Sequence, residues 1–263
     1  MLRGASWRRL FPDVYVHRDA ELDHTMWCRA VVLTLPDGAA LGGVSAALLW
    51  GVDLLPGNSM TVSVVMPRRR RLRADPRIVP HYTVLAERDV THVAGMPVTT
   101  PERTLFDLAR RNSRAEAVVA VDAMLHQRLV TIETLEARAR MRRHWPGLAQ
   151  LREAVRLAEP LAESPMETRL RLLLHDAGLP AMTAQHVVRD PSRRLIARVD
   201  LALPERLLRC TADDVLRHPA RTVRLVADTI TELRRLQPGQ RTPARTPSTA
   251  SAEPVSGRSA AYR

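Results

Sequence analysis

The sequence predicts an α/β protein, α+β overall, in which a mixed strand and helix region is followed by a helical middle and an α/β C-terminal region. Before residue 100, β-branched runs bounded by turn residues indicate strands, and from Pro101 onward apolar residues recur at helical spacing. After Glu163 a capped helix precedes an apolar strand. We place the region boundaries at 1–100, 101–160, 161–236 and 237–263.

The N-terminal elements follow from short local signals. Residues 1–30 are short and mixed, with a strand at 14–17, and the Ala- and Leu-rich residues 39–50 predict a helix that ends at Gly51. Strands are expected at 60–66, 78–84 and 90–98.

The helical middle begins where Thr100 can cap a helix and Pro101 suits its first position. Apolar spacing predicts helices at 102–111, 115–129, 132–142 and 148–157, with a break at 146–147.

In the C-terminal region, Ser164 and Glu167 form a capping-box pattern around Pro165. Strands are expected at 187–189, 195–203 and 207–210, followed by a short helix from Thr211 and a final helix at 222–236. The tail 237–263, rich in Pro, Ser, Thr, Ala and Arg, has no periodicity and is expected to be disordered.

The 263-residue chain carries a formal charge of +12 and contains 40 basic residues, all arginine. Arginine binds phosphate and guanine in bidentate fashion, which suits nucleic acid, although a GC-rich genome also favours arginine codons.

Cys28 and Cys210 are far apart, which fits a reducing cytoplasm and excludes a disulfide framework or a cysteine zinc site. Neither a signal peptide nor a membrane span is evident, so no membrane partner is expected.

Arginine clusters supply the candidate nucleic-acid-binding residues: Arg68, Arg69, Arg70, Arg71 and Arg73. Such a run either neutralises phosphates or forms a solvated loop, and the sequence leaves both interpretations open. A second cluster at 140–144 lies at a helix end, where positive charge is favoured by the helix dipole alone.

Two acids are candidate catalytic residues. Asp200 lies in the largely apolar strand 195–203, where a carboxylate needs either a metal ion or an ion pair such as Arg198. Glu167 occupies the third helical position, where a capping box also favours glutamate.

Five stretches carry a resemblance to a family of actinobacterial proteins: GVSAALLWG at 43–51, PVTTPERTLFDLA at 97–109, ESPMETRLRLLL at 163–174, VDLALPE at 199–205 and TADDV at 211–215. The N-terminal region resembles the AbiEi-type antitoxin, a winged-helix regulator of toxin–antitoxin systems. The C-terminal region is similar to very-short-patch-repair endonucleases of the PD-(D/E)XK, restriction-endonuclease-like superfamily. The resemblance implies DNA and a cognate toxin as partners. It also implies that Glu167 and Asp200 are the acids of a Mg²⁺ site, with Asp200 binding the metal.

The chain departs from this family in two places. Between Glu205 and Arg206 the strand and basic helix that carry the remaining catalytic groups are missing, and the short connection excludes a parallel crossover. The C-terminal domain is therefore expected to be truncated and depleted of its catalytic centre. The winged helix at the N-terminus is expected to be incomplete.

Three functions remain open on the sequence. The first is a nucleic-acid-associated regulator whose nuclease-like domain is inactive. The second is an active Mg²⁺-dependent DNA endonuclease that uses Glu167 and Asp200. The third is an antitoxin that acts by protein–protein interaction. Whether the chain is an enzyme depends on the junction after Glu205.

Overall fold

The computed structural model describes residues 6–55, 59–179, 183–189, 192–202, 220–221 and 223–228, which form a mixed α+β protein. Its sheets contain both parallel and antiparallel strand pairs, as the predicted fold class requires. None of the helices in these ranges is long and apolar enough to cross a bilayer.

The N-terminal segment contains more structure than its sequence indicated. Strand β1 (Trp7–Phe11) pairs with the predicted strand β2 (Val14–His17), and helix α1 (His24–Val32) follows. The start of α1 is fixed by Asp23, whose Oδ1 accepts a hydrogen bond from the Met26 amide at 2.6 Å. Helix α1 buries Trp27 and Val31, so it is held mainly by packing on the sheet.

A five-stranded mixed sheet forms the centre of the N-terminal half. Its strands are β3 (Ala40–Leu41), β4 (Val62–Pro67), β5 (Ile78–Thr83), β6 (Val90–Val93) and β7 (Met96–Thr99). They are arranged in the order β5-β4-β3-β7-β6, with β5 at one edge. Strand β5 runs parallel to β4, and β7 runs parallel to β3. Helices α1 and α2 (Gly43–Leu49) pack on this sheet and share its apolar core.

Two sequence predictions need correction in this sheet. The helix predicted at 39–50 begins only at Gly43, because Leu41 is fully buried in β3 and pairs with both Val64 and Val98. Tertiary burial thus overrides the helix propensity of the Ala and Leu run. The strand predicted at 90–98 is a hairpin, because Ala94 and Gly95 both adopt positive φ, as a tight two-residue turn requires.

The helical middle follows the prediction closely. It contains α3 (Pro101–Arg111), α4 (Arg114–His126), α5 (Ile132–Met141) and α6 (Leu148–Arg156). Thr100 caps α3 by accepting a hydrogen bond from the Arg103 amide at 3.3 Å, and Pro101 occupies the first turn. These helices enclose a core of small and branched side chains; its largest members include Phe106, Met124, Leu135 and Leu151.

The C-terminal region is described in part. Helix α7 (Pro165–Asp176) packs on the hairpin of β8 (Thr183–Arg189) and β9 (Leu195–Ala202). Leu170, Leu174, Ala184 and Val226 form a small separate core. Residues 220–221 and 223–228 are helical. The predicted elements at 207–210 and 211–218, the junction between Glu205 and Arg206 and the tail 237–263 lie outside the described residues.

Gly147 offers a test of how tightly the helical middle is packed. This residue precedes α6 at φ +83°, and a Cβ here would overlap the backbone carbonyl of Arg110. We expect Gly147→Ala to lower the free energy of unfolding by about 3 kcal/mol, because strain at positive φ adds to overpacking.

The matched control is Gly95→Ala, since Gly95 also has positive φ (+78°) but has nothing within 4 Å of an added Cβ. This variant should lose only about 1 kcal/mol in urea unfolding. Equal losses at the two positions would contradict the packing argument.

Candidate functional site

The arginine-rich segment 68–73 leaves the sheet at the end of β4. A backbone hydrogen bond from the Arg70 amide to the Pro67 carbonyl, at 3.0 Å, turns the chain away from the strand. The side chain of Arg71 then donates to the Arg68 carbonyl at 3.0 Å and to the Arg70 carbonyl at 3.2 Å. We call residues 68–77 the arginine loop. Its predicted phosphate-binding residues are all exposed: Arg68, Arg69, Arg70, Arg71 and Arg73.

The positive charge of the arginine loop is not neutralised locally. The loop holds six arginines and one aspartate, Asp75. Asp75 is engaged by Arg77, whose Nη2 lies 2.6 Å from Oδ2 and whose Nε lies 2.8 Å from Oδ1. That side-chain hydrogen bond lowers the pKa of Asp75 below its ordinary value. Within the described part of the chain, no carboxylate forms an ion pair with the five exposed arginines of the loop.

The second arginine cluster, at 140–144, has a different character. Arg142 donates to buried Asp89 at 2.7 Å, and Arg140 lies 3.5 Å from Glu136 on the same helix. Two of its arginines thus form ion pairs with carboxylates. The pairing of Arg142 with Asp89 was not predicted, and the interaction of this cluster with the helix dipole stays a prediction.

Glu167 is 8% exposed and is bound by protein donors on both carboxylate oxygens. Its Oε1 accepts from the Ser164 hydroxyl at 2.8 Å, and its Oε2 accepts from the Glu163 amide at 3.1 Å and from Gln185 Nε2 at 2.8 Å. The Ser164 hydroxyl in turn caps the Glu167 amide at 3.2 Å. The Ser164 half of the predicted capping box is thus present, whereas the Glu167 carboxylate binds the Glu163 amide in place of the Ser164 amide.

The described neighbours of Glu167 act as hydrogen-bond donors to its carboxylate. Mg²⁺ takes oxygen ligands in near-octahedral geometry, whereas these carboxylate oxygens already accept three hydrogen bonds. Across the described side chains, no group of three His, Cys, Asp or Glu residues could hold a metal ion. The role of Glu167 in a metal site stays a prediction, because the side chain of Asp200 lies outside the described atoms.

Asp200 is placed only through its strand. It lies in β9 between Val199, which pairs with His186, and Leu201, which pairs with Ala184. The intervening position on β8 is Gln185, the residue that donates to Glu167. The register therefore places Asp200 beside Gln185, whose side chain contacts Glu167 on α7. The side chain of Asp200 lies outside the described atoms, so its role as a metal ligand stays a prediction.

The sequence analysis missed a buried ionic network in the helical middle. Arg103 is fully buried and donates to Asp107 and to Asp89, each at 2.7 Å. Arg138 and Arg142 also donate to Asp89, each at 2.7 Å. The i, i+4 spacing of Arg103 and Asp107 was a visible signal, whereas Asp89 lies in a separate 3-10 turn (Glu87–Asp89) that the sequence did not link to the helix.

Asp89 has a pKa below its ordinary value. Burial alone would raise this pKa, but the hydrogen bond from Arg138 and the charges of Arg103 and Arg142 outweigh burial and favour the carboxylate. The guanidinium of Arg103 also lies over the Trp145 ring, 5.1 Å from its centroid. The network is therefore a structural element built around charged side chains, and it is not open to a ligand.

A second buried acid joins the helical middle to α7. Asp122 accepts hydrogen bonds from Thr168, from Arg171 and from the Glu159 amide, each at 2.7 Å. Burial raises the pKa of Asp122 in spite of these bonds and of the Arg171 charge. Arg114 adds a further link, because it bridges Glu153 and Asp176 at 2.6 and 2.7 Å.

Cys28 is not a candidate nucleophile. It is fully buried in α1, and burial raises the pKa of its thiol to about 12. Its contribution is packing against the sheet.

Replacing Asp89 should destabilise the fold more than replacing an exposed acid. We expect Asp89→Asn to lose about 3–5 kcal/mol of unfolding free energy, because three guanidinium groups lose their shared carboxylate. Glu136→Gln, whose side chain is 56% exposed, is the control and should change the free energy of unfolding by less than about 0.5 kcal/mol.

The pH dependence of stability, compared between wild-type protein and Asp89→Asn, gives a second test of the buried network. Because the folded pKa of Asp89 is lowered, its stabilisation is complete above the unfolded carboxyl pKa of about 4 and is lost as pH falls through the folded value. Wild-type protein should thus lose more stability on acidification below about pH 4 than Asp89→Asn does, as measured by urea unfolding. Parallel pH profiles would contradict the assignment.

Comparison with known proteins supplies the family. Residues 38–157 match the AbiEi antitoxin C-terminal domain, a stretch that runs from β3 through α6 and crosses the region boundary predicted at residue 100. Two uncharacterized proteins from two strains of Mycobacterium tuberculosis are each 30% identical over 215 residues, which cover 81% of this chain and 73% of each relative. The chain therefore belongs to the same family as these mycobacterial proteins, and its residues 38–157 are similar to the AbiEi antitoxin C-terminal domain.

Proposed function

We propose that the protein is an antitoxin-type regulator that associates with nucleic acid through its arginine loop. The proposed association with nucleic acid rests on one observation about the arginine loop. No described carboxylate forms an ion pair with its five exposed arginines, which are Arg68, Arg69, Arg70, Arg71 and Arg73. Many other arginines of the described chain are bound to carboxylates, whereas these five are exposed in the loop that follows β4. Such a surface attracts polyanions and neutralises backbone phosphates with little dependence on sequence.

The regulator part of the proposal rests on the AbiEi antitoxin C-terminal domain match. An antitoxin has a cognate toxin, so a toxin encoded nearby is the expected protein partner. If the gene lies beside a nucleotidyltransferase-like toxin gene, co-expression should restore growth that the toxin alone arrests. If growth stays arrested although both proteins are expressed in soluble form, the proposed antitoxin function is contradicted.

The nuclease-like C-terminal region is proposed to be catalytically inactive. The support is that Glu167 binds Ser164, Glu163 and Gln185, so this acid serves the helix and the hairpin. On this proposal Glu167 and Asp200 are retained positions of an ancestral site. The alternative, an active Mg²⁺-dependent endonuclease, requires Asp200 to act with groups beyond the described residues.

Salt-dependent binding tests the nucleic-acid proposal. Filter binding of duplex DNA by wild-type protein should weaken steeply with salt, with a slope of about −0.9 in log K against log salt for each phosphate neutralised. The combined variant Arg68→Gln, Arg69→Gln, Arg70→Gln and Arg71→Gln should flatten that slope by about 3.

The control removes the same charge from separate exposed positions, namely Arg8, Arg18, Arg29 and Arg143, each replaced by Gln. Because these positions are not clustered, the slope should fall by less than about 1. Equal effects of the two variants would show that net charge, and not the arginine loop, determines binding.

A plasmid-nicking assay distinguishes the proposed inactive domain from an active Mg²⁺-dependent endonuclease. With Mg²⁺ or Mn²⁺ present, purified full-length protein should leave supercoiled plasmid intact. Asp200→Ala should behave in the same way and should keep the DNA affinity of wild-type protein. Metal-dependent nicking that disappears in Asp200→Ala would establish the endonuclease and overturn the proposal.

A further inference from the structure

A cleft of about 360 Å³ lies between the arginine loop and edge strand β5. Its walls include Leu72 and Pro76 from the loop and Ile78, Pro80 and Tyr82 from the strand. The volume falls in the range that holds a small organic ligand. Apolar side chains of the cleft thus lie beside loop arginines that form no ion pair with a described carboxylate.

Tyr82 gives this cleft an aromatic face. Its side chain is 41% exposed although it lies in a regular strand whose register pairs it with Met66. The Arg71 guanidinium lies 5.5 Å from the centroid of the Tyr82 ring, within the range of a cation–π contact. The same guanidinium is bound to the Arg68 and Arg70 carbonyls, so the loop is held against the ring.

The charges around the cleft favour an anion. Arg73 lies in the cleft wall, and Arg68, Arg69 and Arg70 lie on the adjoining turn. The one acid of the wall is Asp75, whose carboxylate is held by Arg77 at 2.6 Å. Arg77 in turn lies over the Phe11 ring at 4.2 Å, so this pair is fixed in the fold.

We propose that this cleft binds an unpaired base of single-stranded nucleic acid, with Tyr82 as the stacking surface and the loop arginines on the flanking phosphates. This inference rests on the proposed nucleic-acid association and specifies its substrate. A stacked base needs an exposed aromatic face next to basic side chains, and stacking of this kind is available for every base but is blocked in a duplex. A purely acidic peptide would form ion pairs with the loop arginines, but it would leave the side chains of Tyr82, Pro76 and Pro80 exposed to solvent.

The first test compares three probes on wild-type protein by fluorescence anisotropy. They are an oligothymidylate of about 12 nucleotides, an abasic strand of the same length and a hairpin duplex with the same phosphate number. The oligothymidylate should bind about tenfold more tightly than the abasic strand, because the two differ only in bases that can stack. Equal affinities would overturn the base-binding cleft.

The second test uses variants of exposed aromatic residues. Tyr82→Ala should weaken oligothymidylate binding about tenfold and leave both duplex affinity and the salt slope unchanged, whereas Tyr82→Phe should stay within about twofold of wild type. Trp7→Ala is the control, since Trp7 is 39% exposed on a different sheet and should have no effect.

The outcomes separate this inference from the proposed function. A loss of duplex and single-strand affinity by the same factor in Tyr82→Ala would overturn the stacking role and leave phosphate binding by the loop in place. If wild-type protein shows no salt-dependent affinity for any of the three probes, the proposed nucleic-acid association itself fails.

Discussion

The fold depends on one buried guanidinium. Arg103 is fully buried and joins three parts of the chain: Asp107 on its own helix, the Val84 carbonyl just after β5, and Asp89 in the 3-10 turn. A buried charge is tolerated only when partners surround it, so each of these segments must be in place before the others are stable. Because Val84 follows β5 directly, the network also fixes the end of the strand that carries Tyr82. The candidate interface is therefore anchored from the centre of the domain.

The distribution of carboxylates explains where the positive charge becomes available. Several acids of the helical middle lie beside arginines: Asp107 binds Arg103 and Arg110, Asp122 binds Arg171, and Glu116 binds Arg169. The pairs of Asp122 and Glu116 link α4 to α7, whereas those of Asp107 lie within α3. The arginine loop has a single acid, and that acid is already bound to Arg77. Among the described residues, the arginine loop thus carries five arginines without an ion pair to a carboxylate, and this loop adjoins the cleft beside Tyr82.

Patterns contained in a few neighbouring residues predicted many of the helices and strands. Contacts between residues that are far apart in the sequence were not predicted. The caps Thr100 and Ser164 fixed the starts of α3 and α7, because cap chemistry is contained within four residues. The predicted helix at 39–50 was wrong at its start, because burial of Leu41 between two strands is not visible in an Ala- and Leu-rich run. The arginine loop was recognised from composition alone. The cleft beside it was not, since it depends on how the loop folds back over β5.

Helix α7 is held between two other parts of the chain. Gln185 brings β8 against Glu167, at the register position between those of Val199 and Leu201. Yet the same helix is bound to the helical middle through Arg171 and Thr168, which share buried Asp122. Substitution of α7 residues is therefore constrained by the antitoxin-like domain on one face and by the hairpin on the other. Both sets of contacts fix the position of α7, and with it the Ser164 cap and the Glu167 carboxylate, by hydrogen bonding within the protein.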